Sequence, residues 1–167
     1  ETGGLIVERH LDKLEGTQYV LICYGGNDSD YNWQAIADCP DSEHHPKTPL
    51  RIFEKTYARV INKVRERGYT PLIMSLPPMN AQQYFNFFTS NFNNTQKSNV
   101  LKWLHGSVNT IWAGHELYND AVKRVASATD CVLIDCTTTL GDGKYYLCDD
   151  GIHLNLAGQS KIASILL

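Results

Sequence analysis

No Cys-x-x-Cys pair occurs among the five cysteines of this 167-residue chain (Cys23, Cys39, Cys131, Cys136 and Cys148). The missing pair argues against a structural zinc site, and the odd count against a full disulfide framework. Lys and Arg do not cluster either: 15 of them stand against 18 Asp and Glu, for a net charge of −3. Such a balance offers no footprint for nucleic acid or an anionic membrane. The longest apolar runs, residues 19–23 and 131–134, fall far short of a bilayer span. There is no internal repeat, no low-complexity segment and no Gly-x-Ser-x-Gly nucleophile elbow. A flavodoxin-like nucleotide binder would carry a Gly-rich phosphate loop between strand and helix, and here Gly25-Gly26 opens a polar loop instead. What is present is globular: 43% hydrophobic and 20% charged residues, in a length that suits one domain over residues 1–167.

Helical and strand-like patterns alternate. Leu5, Ile6, His10, Leu11 and Leu14 keep helical spacing, which predicts a helix over 4–15. Residues 19–23 read as a strand covered on both faces, because their apolar character is continuous. Residues 28–48, with Pro40 and Pro46, read as a long loop with at most a short helix. Leu50, Phe53, Tyr57, Val60, Ile61 and Val64 predict a helix over 49–67, ended by Gly68. A second strand is expected at 71–76, a third at 131–135, a helix at 108–128 and a last helix from Asn155. Residues 79–107, rich in Asn, Gln and Phe, form a cap or insertion. The alternation implies an α/β sandwich with a parallel sheet, whose ligands bind at the carboxyl ends of the strands.

Two strand-end blocks stand out. The first, Gly25-Gly26-Asn27-Asp28, is on its own ordinary turn chemistry. The second is Asp150-Gly151-Ile152-His153-Leu154-Asn155, leading into a helix. An Asp three positions before a His can hold the imidazole with Nε2 free to take a proton; alone, the pair is equally a surface Asp followed by a capping Asn. An Asn amide beside a His base would make half of an acyl-transfer site.

Together these blocks resemble the SGNH (GDSL-type) serine hydrolase superfamily. Residues 19–28 look like its strand and Gly-x-Asn-Asp block. Residues 150–158 look like its Asp-x-x-His block with the following Leu-Asn-x-x-Gly. The resemblance implies a three-layer α/β/α sandwich with a flavodoxin-like parallel sheet. By position it makes His153 the general base, Asp150 its orienting carboxylate and Asn27 an oxyanion donor. Thr2-Gly3-Gly4 looks like the family's glycine block, with Gly3 the preferred donor of a second oxyanion N–H and Gly4 the alternate. The implied activity is hydrolysis of a small carboxylic ester or acylated carbohydrate by a Ser-His-Asp mechanism, with no metal or organic cofactor and no nucleic-acid partner.

The family's Gly-Asp-Ser block has no counterpart. Gly141-Asp142-Gly143 has glycine where serine is needed and lies between the third strand and His153. Ser29 and Ser75 lie near strand ends, where turn and strand packing account for them. The nucleophile is therefore expected upstream of this chain, on an N-terminal segment that also carries the missing strands. On that reading the chain is a C-terminal piece of the domain, inactive alone. The alternative is a catalytically inactive SGNH-like binding domain. Glu43-His44-His45 in a Pro-flanked loop is expected to be solvated, and His10, His105 and His115 to be surface or packing residues. Trp33, Tyr84, Phe85, Phe87, Phe88 and Trp103 are divided evenly between an acyl or sugar pocket and local core. Cys136 and Cys148 flank a short loop and could pair in an oxidising compartment.

Overall fold

The computed structural model describes residues 10, 11, 13 and 16–166. The Gly3–Gly4 block and most of the expected first helix lie outside the described residues. Among the described residues three strands form a parallel sheet in the order β1-β2-β3: β1 (Tyr19–Ile22), β2 (Thr70–Met74) and β3 (Val132–Ile134). Leu21 stands opposite Leu72, and Leu72 opposite Val132. Parallel neighbours need long crossovers, and both are helical. The first contains α1 (Gly26–Ser29), α2 (Trp33–Asp38) and α3 (Leu50–Glu66); the second contains α4 (Ala81–Phe88), α5 (Asn94–Trp103) and α6 (Asn109–Ala128). After β3 come α7 (Cys136–Leu140) and α8 (Leu156–Leu166).

The apolar face of α3 arises from spacing: Phe53, Tyr57, Val60, Ile61 and Val64 recur every three or four residues and are all buried. They meet Tyr118, Ala121, Val122 and Val125 of α6, and both helices pack over Ile22 and Ile73. On the opposite face of the sheet, Met74 packs against Cys136, Leu140 and Ile162 of α7 and α8. Residues 79–107 resolve into α4 and α5, whose Ala81, Phe85 and Val100 build a separate core with Trp33 and Ile36 of α2 and with Leu104 and Ile111.

The first strand departs from expectation. Its continuous apolar run predicts cover on both faces, yet Tyr19 is 58% exposed and Leu21 42% exposed. Among the described residues β1 is an edge strand, so its outer edge meets no neighbour and the Tyr19–Leu21 face has little above it. The carboxyl end of β2 is instead locked firmly. Asn119, fully buried on α6, accepts from the Leu76 N–H (3.0 Å) and donates to the Thr137 hydroxyl (3.1 Å), which donates to the Leu76 carbonyl (2.9 Å). A buried network with its bonds made fixes geometry, because any broken member leaves an uncompensated polar group. The strand end and the start of α7 therefore move as one.

Candidate active site

The carboxyl end of β1 turns sharply at Gly25, which adopts φ +132°. A Cβ there would lie 3.1 Å from Leu76 and 3.3 Å from Phe53, so glycine lets the turn close onto the core. The next four residues form the single turn α1, closed by the Ser29 N–H donating to the Gly25 carbonyl (2.8 Å). This turn packs on α6 and presents Asn27 exposed. The far end of the polar loop returns to it, with Thr48 N–H donating to the Asp28 carbonyl and Lys47 N–H to that of Asp30.

The second block is a self-contained loop. Asp150 Oδ1 accepts from the backbone N–H groups of Ile152 and His153, both at 3.0 Å, while Oδ2 lies 2.6 Å from His153 Nδ1. The Cys148 N–H donates to the His153 carbonyl (2.7 Å), and Leu147 bridges Leu154 antiparallel. Gly151 (φ +77°) packs against α4: its carbonyl accepts from the Asn80 N–H at 2.8 Å, and a Cβ would fall 2.7 Å from the Asn80 oxygen. Asn155 has the capping role weighed for it, its Oδ1 accepting from the Gly158 N–H at 3.0 Å.

Burial on its own would raise the Asp150 carboxyl; the N–H groups of His153 and Ile152 and the His153 ring outweigh it and hold Asp150 below the usual carboxylate range. An ionised Oδ2 at 2.6 Å calls for the proton on Nδ1, which leaves Nε2 as the acceptor. The His153 side chain is 76% exposed. Asn27 and His153 both line one cleft of about 670 Å³.

Other expectations sort themselves in this cleft. Ser75 is fully buried and its Oγ accepts from the Cys136 N–H (2.8 Å), which ties β2 to α7. Ser29 lines the cleft, with its hydroxyl donating to the Gly26 carbonyl (2.9 Å). Asp142 caps its own turn through the Lys144 N–H. In the polar loop His45 faces Glu43 at 3.2 Å, and His44 Nε2 donates to the Cys39 carbonyl. Among the described residues no three His, Cys, Asp or Glu converge as a metal site. Cys136 and Cys148 are free thiols. Of the aromatics left undecided, Trp33, Tyr84 and Trp103 line the cleft, Phe85 belongs to the local core, and Phe87 is exposed. Phe88 stacks on Trp33 at 4.4 Å.

One cleft residue escaped sequence reasoning. Asp30 is a hub: Oδ1 accepts from the Trp33 indole (2.7 Å) and the Tyr84 hydroxyl (2.8 Å), and Oδ2 from Lys47 (2.7 Å). Burial, then the Asp30 charge, push the Tyr84 phenol up, so it stays a donor. Nothing local in sequence announces this hub, since its members lie up to 54 residues apart. His115 was expected to be a surface or packing residue; it is only 9% exposed, on the cleft wall, with Nδ1 lacking a hydrogen-bond partner and 3.4 Å from Glu116. The helical spacing it shares with the buried Ile111 and Tyr118 accounts for that packing place.

The class of fold is shared with solved enzymes. An α/β hydrolase from the metagenome of Lake Arreo, LAE5, is similar over the whole of this chain at 21% identity and a TM-score of 0.60. Axe2, an acetylxylan esterase from Geobacillus stearothermophilus, is similar at 16% identity and a TM-score of 0.57. The chain spans 66% of the length of each. No curated protein sequence gives a significant match. Residues 2–161 match the GDSL-like lipase/acylhydrolase profile, and the chain belongs to that family.

Proposed function

We propose that this chain supplies the base and oxyanion half of an SGNH-type serine esterase, acting on a small carboxylic ester or an acylated carbohydrate. The observation that carries the reading is the 2.6 Å Asp150–His153 contact, at the rim of the cleft that Asn27 also lines. His153 Nε2 takes the proton of a serine hydroxyl as it attacks the acyl carbonyl. Asp150 stabilises the imidazolium that forms, and the Asn27 amide donates to the oxyanion. His153 then returns the proton to the leaving alcohol, and water repeats the sequence to release the acid. A glycine N–H from Gly3 or Gly4 completes the oxyanion hole.

The serine comes from a segment upstream of these residues. The edge of β1 that is open among the described residues, with Tyr19 and Leu21 exposed beside it, supports further strands there, because an unpaired apolar edge favours aggregation unless something pairs with it. Axe2 is described as an acetyl-xylooligosaccharide esterase, which fits the acylated-carbohydrate class. The test is hydrolysis of a short-chain aryl acetate, and labelling by a fluorophosphonate, in the intact protein and in the 167-residue chain. Turnover and labelling confined to the intact protein are expected, with turnover lost in His153→Ala. Equal turnover by the isolated chain would move the nucleophile inside it. No turnover or labelling by the folded intact protein would make it a non-catalytic binding domain.

A further inference from the structure

A second cavity, of about 420 Å³, adjoins the cleft and is lined by Pro40, Asp41, Lys102, Trp103, His105 and Thr110. Trp103 and Thr110 line both spaces, so the two cavities share these side chains as common walls. Building on the esterase reading, we propose that this cavity is a subsite for the neutral, polyhydroxylated leaving group of a saccharide ester.

Three features favour that ligand. Trp103 is half-buried and held by ring contacts to Tyr31 (4.9 Å), Trp33 (6.1 Å) and His44 (6.0 Å), which makes it a fixed wall. An immobilised aromatic ring suits the C–H face of a pyranose and loses little side-chain freedom on binding. Lys102 and Asp41 pair at 2.7 Å with side chains 63% and 81% exposed, so the rim offers donors and acceptors with no net charge. An anion would meet Asp41 and a cation Lys102, whereas hydroxyl groups can bond to both. His105 ends α5 at φ +55°, the left-handed position that glycine occupies without strain, and places an imidazole at this cavity. The Thr110 hydroxyl donates to the Leu104 carbonyl (2.9 Å) and keeps its lone pairs for a ligand.

The experiment is calorimetric titration of the intact protein with xylotriose and cellotriose, which contain no ester and report binding alone. Aryl acetate turnover, measured in parallel, tests the esterase reading separately. Trp103→Ala should weaken binding of whichever trisaccharide the wild type binds by about tenfold or more, the loss of one buried aromatic anchor. The doubly substituted Asp41→Ala, Lys102→Ala protein should weaken it several-fold. Because both of those side chains are exposed, that variant still decides if Trp103→Ala misfolds. The ratio of kcat/KM on acetylated xylotriose to that on the aryl acetate should fall in both. A wild type that binds neither trisaccharide, or affinities unchanged in the folded variants, would overturn the subsite even if aryl acetate is turned over.

Discussion

Asp150→Asn isolates the chemistry of the base from its position. In the folded protein Oδ1 accepts from two backbone N–H groups at 3.0 Å, and Oδ2 faces His153 Nδ1 at 2.6 Å. Asparagine has one acceptor oxygen. If it stays on the two N–H groups, an NH2 donor faces Nδ1, and the imidazole must carry its proton on Nε2. Rotating the amide would point NH2 at two N–H donors, which costs more than it restores. The variant therefore keeps the loop and holds the wrong tautomer. That tautomer cannot accept the serine proton, and a loss of about 10⁴ in kcat, roughly 5.5 kcal/mol at 1.36 kcal/mol per decade, is expected with little change in KM. Stability should fall far less. His153 is 76% exposed, so solvent screens its hydrogen bond to the Asp150 carboxylate to under about 1 kcal/mol. Replacing the charged acceptor of the two N–H groups adds on the order of 1 kcal/mol, for a combined Tm decrease of about 2–6 °C. Aryl acetate kinetics of the intact protein test the rate, and ¹⁵N NMR of the imidazole reads the tautomer directly. A variant within tenfold of wild type, or one that keeps the proton on Nδ1, would refute the reasoning.

Asn27→Ala should lower kcat by about 10²–10³ with KM nearly constant, because its amide serves charge that develops only in the transition state; steady-state kinetics would show an unchanged kcat if the assignment is wrong. Gly151→Ala places a methyl group 2.7 Å from the Asn80 oxygen and forces alanine to φ +77°, so a loss of about 2–3 kcal/mol is expected by urea denaturation. In acid, Asp150 and Asp135 should both cost stability. Asp150 is held low as described, and Asp135 by the Thr138 hydroxyl and N–H against an opposing burial effect. The unfolded chain takes up protons at these groups first, so their stabilisation is full above the ordinary carboxylate pKa of about 4 and is lost as pH falls through the lower folded values. A Tm series from pH 6 to 2.5 should show this decline, with a shallower slope in Asp135→Asn.

What was legible in the sequence is what is written locally. Helix α3 runs Leu50–Glu66 where the pattern predicts 49–67, because five core residues share one face and Gly68 can take φ +82° to end it. Strand β3 is shorter than its apolar run, and β2 starts one residue early and ends two early, since pairing and not composition decides where a strand ends. The insertion resisted reading for a different reason. Its helices are specified by Asn80 and Asn93, which cap α4 and α5, while its core depends on Trp33 and Ile36 from another crossover. The Asp30 hub was invisible for the same cause.

The two halves of the candidate site differ in how they are built, and this bears on what survives without the proposed upstream segment. Asp150, Ile152 and His153 satisfy one another within four residues, and Gly151 then docks that loop on α4. Nothing in this arrangement uses β1, so the base and its carboxylate are positioned by contacts inside the chain. Asn27 is placed differently. Its turn is held by Gly25 against Leu76 and Phe53, and Leu76 is itself locked by Asn119. That turn also follows directly on β1, the strand whose outer edge is open among the described residues. Strands added at that edge would rigidify the Asn27 turn more than the Asp150 loop. Amide hydrogen exchange can separate the two, because local opening free energies differ across a fold. Adding the proposed upstream segment should slow exchange at 20–29 strongly and at 148–155 little. Equal slowing of both would mean that the base half also depends on the neighbouring strands.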